Sequence, residues 1–94
     1  MNMQIDVNKV KIGVVGAGSW GTALTNLLAS KGFKIDLWVF EKEVKEQIES
    51  YRENKVFLPG ISLSDHISPS NDIETVIKGK DLVLLVVPSH VMRE

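Results

Sequence analysis

The sequence predicts an α/β protein, an open parallel sheet of about four strands with helices on both faces. Three observations favour this class. Apolar strand-like segments alternate with helical patterns, glycine or proline lies at their junctions, and no internal repeat interrupts the alternation. Because crossovers between parallel strands are right-handed, 3-2-1-4 is the natural strand order. Ninety-four residues are enough for one small domain.

The first strand and helix follow a polar leader at 1–8. The strand is predicted at 9–15, a β-rich segment that becomes fully apolar toward its end, as in a strand buried on both faces. The helix after it is expected to bury one apolar stripe, made of Trp20, Ala23, Leu24, Leu27 and Leu28. Lys31 and Gly32 then supply the basic last turn and the glycine that typically end a helix.

The remaining elements continue the alternation. A second strand is predicted at 35–40 and a charged helix at 41–54, whose charges form a solvated face. A weak strand at 66–68 precedes a short helix that Asp72 caps. A strongly apolar strand at 82–87 closes the series.

The composition excludes several classes of protein. Eleven basic and twelve acidic residues give a net charge of −1, so we expect no partner among nucleic acids or anionic membranes. The absence of cysteine excludes disulfide frameworks, thiolate metal sites and cysteine nucleophiles. The longest apolar run, 82–88, is too short for a membrane helix, and the N-terminus lacks the order of a signal peptide. A cytoplasmic location is therefore expected.

Residues 16–21 read Gly-Ala-Gly-Ser-Trp-Gly, which is the spacing G-x-G-x-x-G. This motif follows a buried strand and opens a helix, the context that indicates a Rossmann-type dinucleotide-binding turn. Gly16 would allow the tight turn, Gly18 would leave room for a pyrophosphate, and Gly21 would let the helix pack closely on the sheet. The first-turn N–H groups and the Ser19 hydroxyl would donate hydrogen bonds to the phosphates. The alternative is a tight turn that uses glycine for geometry only.

Two residues at the end of the second strand point to the adenosine end of a dinucleotide. Glu41 lies twenty positions after Gly21, where a carboxylate would bind the ribose hydroxyls and repel a 2′-phosphate. It therefore favours NAD over NADP, although Lys42 softens that preference. Phe40 would lie against the adenine. The alternatives are that Glu41 merely opens the next helix and that Phe40 is ordinary strand-end packing.

Together these residues resemble the N-terminal, cofactor-binding part of the NAD(P)-dependent glycerol-3-phosphate dehydrogenase family. The matching segments are GAGSWGTAL at 16–24, LWVFE at 37–41, NKVFLPG at 54–60 and VVPSH at 86–90. The tryptophan in the turn and the last two segments are together far more specific than the glycines alone. The resemblance implies interconversion of dihydroxyacetone phosphate and sn-glycerol 3-phosphate by hydride exchange with NAD or NADP.

The resemblance also implies the residues that contact the cofactor. They are Gly16, Ala17, Gly18, Ser19, Trp20, Gly21, Phe40, Glu41, Pro88 and Val91. Pro88 and Val91 match the strand end that borders the nicotinamide. Phe40 followed by Glu41 is closer to the NAD-preferring pattern of the family.

No catalytic residue is predicted in this chain, because the family's catalytic lysines and substrate-phosphate pocket have no counterpart in it. His90 after the last strand is more typical of a solvent-facing side chain, and His66 beside Asp65 has no second metal ligand, so no metal site is predicted. The segment 54–60 is expected to close the edge behind the second helix, in a structural role. Residues 9–94 are thus expected to be a dinucleotide-binding domain cut before its substrate domain and inactive alone.

Two alternatives remain from the sequence: a non-catalytic dinucleotide sensor, and the N-terminal domain of another NAD-dependent dehydrogenase. The apolar last strand at 82–87 would form an exposed sheet edge with unpaired backbone groups. We therefore expect marginal stability or self-association through that edge, with a homodimer as one outcome.

Overall fold

The computed structural model describes residues 9–16 and 18–86, and these contain four strands and three helices. In chain order the elements are β1 (Lys11–Val15), α1 (Ser19–Ser30), β2 (Lys34–Trp38), α2 (Lys42–Tyr51), β3 (Ile67–Ser70), α3 (Ile73–Ile77) and β4 (Leu82–Leu85). The predicted leader at 1–8 and the end of the fourth predicted strand, from residue 87 on, lie outside the described residues.

The strands form one parallel sheet in the order β3-β2-β1-β4, which confirms the predicted topology. At the centre, Val14 of β1 is in register with Leu37 of β2 on one side and Leu84 of β4 on the other. Four of the five β1 residues are buried, as the apolar sequence predicts.

The predicted apolar stripe of α1 is wrong. Trp20 and Leu27 are 74% and 54% exposed, whereas the buried face of the helix consists of Gly21, Thr22, Thr25 and Ala29. The remaining stripe residues are exposed (Ala23) or half-buried (Leu24 and Leu28). The reason is the close approach of Gly21 to the preceding turn, which directs the small side chains of the helix toward the sheet and rotates the large apolar ones outward.

The helix ends combine confirmed and corrected predictions. Gly32 has a φ of 100° and donates its N–H to the carbonyl of Ala29, so the predicted glycine follows the end of α1. The predicted basic last turn is wrong, because α1 ends at Ser30 and Lys31 is its C-cap residue. The side chain of Asp72 accepts the N–H of Glu74 at 3.1 Å, which confirms the cap of α3.

The second helix ends at Tyr51, three residues before the predicted position, because Arg52 adopts a left-handed conformation with a φ of 53°. Its guanidinium group donates hydrogen bonds to the carbonyl oxygens of Ile48, Ser64 and Ile67. These contacts join the end of α2 to the start of β3, which runs to Ser70 and not only to residue 68. Pro69 is accommodated because β3 is an edge strand of the sheet.

Candidate functional site

The glycine-rich turn lies at the carboxyl end of the sheet, between the end of β1 and the start of α1. Gly16 follows Val15 with a φ of 117°, and its N–H donates to the carbonyl of Trp38 at 3.3 Å. The turn is therefore fastened to the end of β2. Order 3-2-1-4 reverses the direction of chain progression at β1, and open α/β sheets bind ligands at such a point, outside the strand ends.

Glycine occupies the three positions of the motif for different structural reasons. A Cβ on Gly21 would lie 1.7 Å from the carbonyl oxygen of Gly16, and a Cβ on Gly16 would lie 2.7 Å from that of Val86, so packing requires both. Around Gly18, no heavy atom of the described residues other than its neighbours in the chain lies within 4 Å of a Cβ. Its φ of −68° and ψ of −172° are open to any residue. The described part of the fold therefore does not need glycine at 18, and the space that a Cβ would occupy there is clear of the residues at 9–16 and 18–86.

The start of α1 has the electrostatic character of an anion site. Its first turn contains no acidic residue, and its N-cap, Gly18, has no side chain to accept the first N–H groups. The first N–H groups of a helix have no partner within the helix, and the helix dipole places partial positive charge there. Free amides and open space are what a bound diphosphate requires.

The Ser19 hydroxyl has a different partner from the predicted one. It donates to the carbonyl oxygen of Phe57 at 2.6 Å, so its single proton is directed at the loop after α2 and not at the open space. Its neighbour Trp20 presents its ring to solvent. Ser19 and Trp20 are both predicted to contact the cofactor. Within the described residues, the Ser19 side chain is hydrogen-bonded to the protein, whereas the Trp20 ring remains exposed.

The adenosine-side residues lie where the second strand runs into α2. Phe40 is 77% exposed and meets Trp38 edge to face, with ring centroids 6.1 Å apart. Glu41 is the N-cap residue of α2, but its carboxylate makes no capping hydrogen bond. Its carbonyl accepts the first hydrogen bond of the helix, from the N–H of Lys45. Both side chains are therefore available to a ligand, and their assignment to adenosine stays a prediction.

Several predicted residues are not placed in the site. Ala17, Pro88, His90 and Val91 lie outside the described residues. His66 is exposed in the turn before β3, at the opposite end of the sheet from the glycine-rich turn. Within 9–16 and 18–86, no three His, Cys, Asp or Glu residues are grouped for a metal ion. Over the same residues, no helix has the length and hydropathy needed to cross a membrane.

Sequence reasoning missed a buried polar pair beside the site. The Asn54 side chain, fully buried, donates from Nδ2 to Oγ1 of Thr22 on α1 at 2.9 Å. The segment 54–60 thus packs against the first half of α1, and is not only a closure behind α2. No local pattern reveals the pair, since its members are 32 residues apart. The one usable signal is Thr22 itself, a polar residue next to the glycine that must face the sheet.

Comparison with known proteins identifies the family. The profile of the family described as NAD-dependent glycerol-3-phosphate dehydrogenase N-terminus matches residues 11–94. The curated glycerol-3-phosphate dehydrogenase, NAD(P)+, of Syntrophobacter fumaroxidans is 55% identical over 82 residues, which are 87% of this chain and 24% of the relative. That of Geobacter sulfurreducens is 52% identical over 83 residues, or 88% of this chain and 25% of the relative. The chain thus spans about a quarter of the length of these relatives.

Solved structures agree with the sequence comparison. The glycerol-3-phosphate dehydrogenase of Saccharomyces cerevisiae has a TM-score of 0.80 at 28% identity, over 90% of this chain and 28% of that one. The enzyme of Coxiella burnetii has a TM-score of 0.78 at 36% identity, over 86% and 25% of the two chains. The match decides against the N-terminal domain of another dehydrogenase. This chain belongs to the NAD-dependent glycerol-3-phosphate dehydrogenase N-terminal family.

Proposed function

We propose that this chain is the NAD(P)-binding portion of a glycerol-3-phosphate dehydrogenase, which interconverts dihydroxyacetone phosphate and sn-glycerol 3-phosphate. The observation that carries the proposal is the clear space at Gly18, in front of uncapped amides at the carboxyl end of a parallel sheet. Family membership supplies the reaction. The names of the relatives include both NAD and NADP, and the proposed cofactor of this chain is one or both of these dinucleotides.

The residues present fit a dinucleotide. The first-turn amides of α1 would hold the diphosphate, with Gly18 admitting it to the backbone. Phe40 would cover the adenine and Glu41 would accept hydrogen bonds from the adenosine ribose. The nicotinamide end of the bound dinucleotide supplies or accepts the hydride.

The chemistry beyond cofactor binding needs groups from elsewhere in the proposed enzyme. Reduction of a ketone needs a group that protonates or polarises its oxygen, and a phosphorylated substrate needs cationic donors. Among the described residues, the histidine at 66 lies at the wrong end of the sheet for either role. We therefore assign this chain to holding and orienting the dinucleotide, and expect no turnover from it alone.

Titration with NADH, followed by tryptophan fluorescence, tests whether the diphosphate binds at Gly18. We expect saturable quenching in the unaltered protein and loss of binding in Gly18→Val, because the new side chain would occupy the clear space. Ala23→Val is the matched control: it adds the same side chain at an exposed position of α1. If Gly18→Val binds NADH as the unaltered protein does, the diphosphate does not lie at this turn.

Glu41 is proposed to set the preference for NAD. Glu41→Gln should lower the ratio of NADH to NADPH affinity about tenfold, because the charge that repels a 2′-phosphate is gone. Glu43→Gln is the control, since it removes the same charge from the first turn of α2 without altering the end of β2. An unchanged ratio in Glu41→Gln would assign Glu41 to opening the helix only.

A non-catalytic dinucleotide sensor is distinguished by activity. A protein of the relatives' full length that carries this chain should oxidise NADH when dihydroxyacetone phosphate is added. Binding of NADH without that oxidation would favour the sensor. A cytoplasmic location and a homodimer remain predictions from the sequence, tested by cell fractionation and by the mass of the protein in solution.

A further inference from the structure

The loop after α2 is joined to the first two turns of α1 by two hydrogen bonds. The Ser19 hydroxyl donates to the carbonyl of Phe57 at 2.6 Å, and Asn54 Nδ2 donates to Thr22 Oγ1 at 2.9 Å. Asn54 Oδ1 also accepts the N–H of Phe57 at 3.1 Å, which joins the two points within the loop. We call these four residues, Ser19, Thr22, Asn54 and Phe57, the bracket.

The bracket acts on one face of the helix. Ser19 and Thr22 are three residues apart and so lie on the same side of α1, one turn after the other. The loop carries a backbone hydrogen bond of its own, in which the carbonyl of Asn54 accepts the N–H of Leu58 at 2.8 Å. Thr22 and Asn54 are both fully buried, so their hydrogen bond is shielded from competing water.

The start of α1 needs such support from outside. Helices are commonly fixed at their N-terminus by a Ser, Thr, Asp or Asn side chain at the N-cap. Gly18 occupies that position here, and a side chain in its place would enter the clear space in front of the helix. A side-chain cap is therefore absent where the diphosphate is proposed to bind, and the position of the first-turn amides depends on contacts from outside the helix.

We propose that the bracket replaces the missing cap, and that Thr22 and Asn54 are positioning residues for the diphosphate of the dinucleotide. This inference rests on the proposed function. Both side chains are too deeply buried to touch a ligand, so they act by holding the first-turn amides in the geometry that binding requires. Ser19 also belongs to this device, through its hydrogen bond to Phe57.

The matched pair Thr22→Val and Thr25→Val tests the proposal in a protein of the relatives' full length. Both threonines are fully buried on α1, but Thr25 Oγ1 has no hydrogen-bond partner within the described part of the chain. We expect Thr22→Val to raise the Kd of NADH about tenfold, with Thr22→Ser restoring it, and Thr25→Val to change it less than about twofold. Equal effects of the two valine substitutions would overturn the proposal.

A second ligand separates positioning from a general loss of structure. Adenosine has no phosphate and would contact only the Phe40 and Glu41 end of the site. Thr22→Val should therefore weaken NADH binding and leave adenosine binding unchanged. Parallel losses for both ligands would mean that the bracket only stabilises the fold, and would overturn the positioning role.

Ser19→Ala tests the exposed end of the bracket, and keeps the proposal falsifiable where Thr22→Val does not fold. It should weaken NADH binding, and unchanged binding in Ser19→Ala would overturn the proposal without any need of Thr22→Val. Where Thr22→Val folds, combining the two substitutions should weaken binding less than the product of their separate effects, because both act through one loop. A full product would show the Ser19 hydroxyl acting on phosphate independently, against the bracket.

The outcomes also separate this inference from the function on which it rests. If the unaltered protein does not bind NADH, both fail together. If the unaltered protein binds NADH and Thr22→Val binds it equally well, the bracket fails alone.

Discussion

The two sides of the central strand β1 are packed very differently. On one side, β2 and β3 lie under α1 and α2, and Leu37, Ile48 and Ile67 are almost completely buried. On the other side, the described residues contribute only β4, whose Leu82 and Leu85 are 45% and 72% exposed. The sequence of β4 is as apolar as that of β1, so apolar sequence alone does not decide burial. What decides it is whether another layer of the molecule covers the strand.

This difference places the glycine-rich turn on the packed side. Its fastenings run to the end of β2, through the hydrogen bond from Gly16 to Trp38, and to the loop 54–60, through the bracket. These hydrogen bonds join the glycine-rich turn to the well-buried half of the domain, while Gly16 also packs closely against the carbonyl of Val86 after β4.

Gly21→Ala should have the largest effect. Its Cβ would lie 1.7 Å from the carbonyl oxygen of Gly16, a backbone atom held by the packed side. We expect a loss of about 3 kcal/mol or more in the free energy of unfolding, measured in urea, with loss of NADH binding. Gly18→Ala is the control, since it makes the same change in open space. Equal stability of Gly21→Ala and the unaltered protein would show that the backbone at Gly16 can shift at little cost in free energy.

Gly13→Ala tests the contact of β1 with α3. The new Cβ would lie 2.0 Å from the carbonyl oxygen of Val76, but α3 has only five residues and can shift further than α1. We expect a smaller loss of stability, about 2–3 kcal/mol, in the same urea measurement. Ile77→Ala, at an exposed position of α3, should have little effect. A loss as large as that of Gly21→Ala would remove the contrast between the two helices.

Arg52→Ala removes the guanidinium contacts that join α2 to β3. We expect a loss of about 2 kcal/mol in the free energy of unfolding, because the carbonyls of Ser64 and Ile67 lose a charged donor. Arg52→Gly loses the same contacts but adopts the φ of 53° without strain, so it should be the more stable of the two variants. The reverse order would show that the left-handed conformation at position 52 costs the alanine variant little.

Leu85→Lys should change stability least and association most. Leu85 is 72% exposed on β4, which is an edge strand of the described sheet, and a lysine on an edge opposes pairing with another strand. We expect the 94-residue chain to self-associate less after this substitution, as measured by sedimentation velocity over a range of concentrations. Leu27→Lys on the exposed side of α1 is the control. A monodisperse monomer before any substitution would contradict the expected association.

The alternation of strands and helices predicted most of the fold because each signal is local. Glycine at 32 and aspartate at 72 end and begin helices through contacts with neighbours in the chain, and both are confirmed. The strand order also follows, since short crossovers leave few topologies. The glycine spacing located the turn correctly, and packing at Gly16 and Gly21 explains two of its three glycines.

The remaining features depend on contacts between distant residues. The rotation of α1 is set by Gly21 against Gly16, so its small residues face the sheet in place of the larger stripe that includes Trp20 and Leu27. The end of α2 is set by carbonyls 12 and 15 residues after Arg52. Likewise, the hydroxyl of Ser19 meets a partner 38 residues away. The periodicity of apolar residues along the sequence does not predict any of these contacts between distant residues.

At position 18, the residue that would best stabilise the helix differs from the residue that diphosphate binding requires. Aspartate there would suit the extended φ and ψ and would cap the helix, stabilising it by a few tenths of a kcal/mol relative to glycine. It would also place a negative charge where a diphosphate is expected. Variants at this position would therefore be made in normal amounts and melt normally while being unable to hold a dinucleotide, so a screen for expression or thermal stability would not detect them.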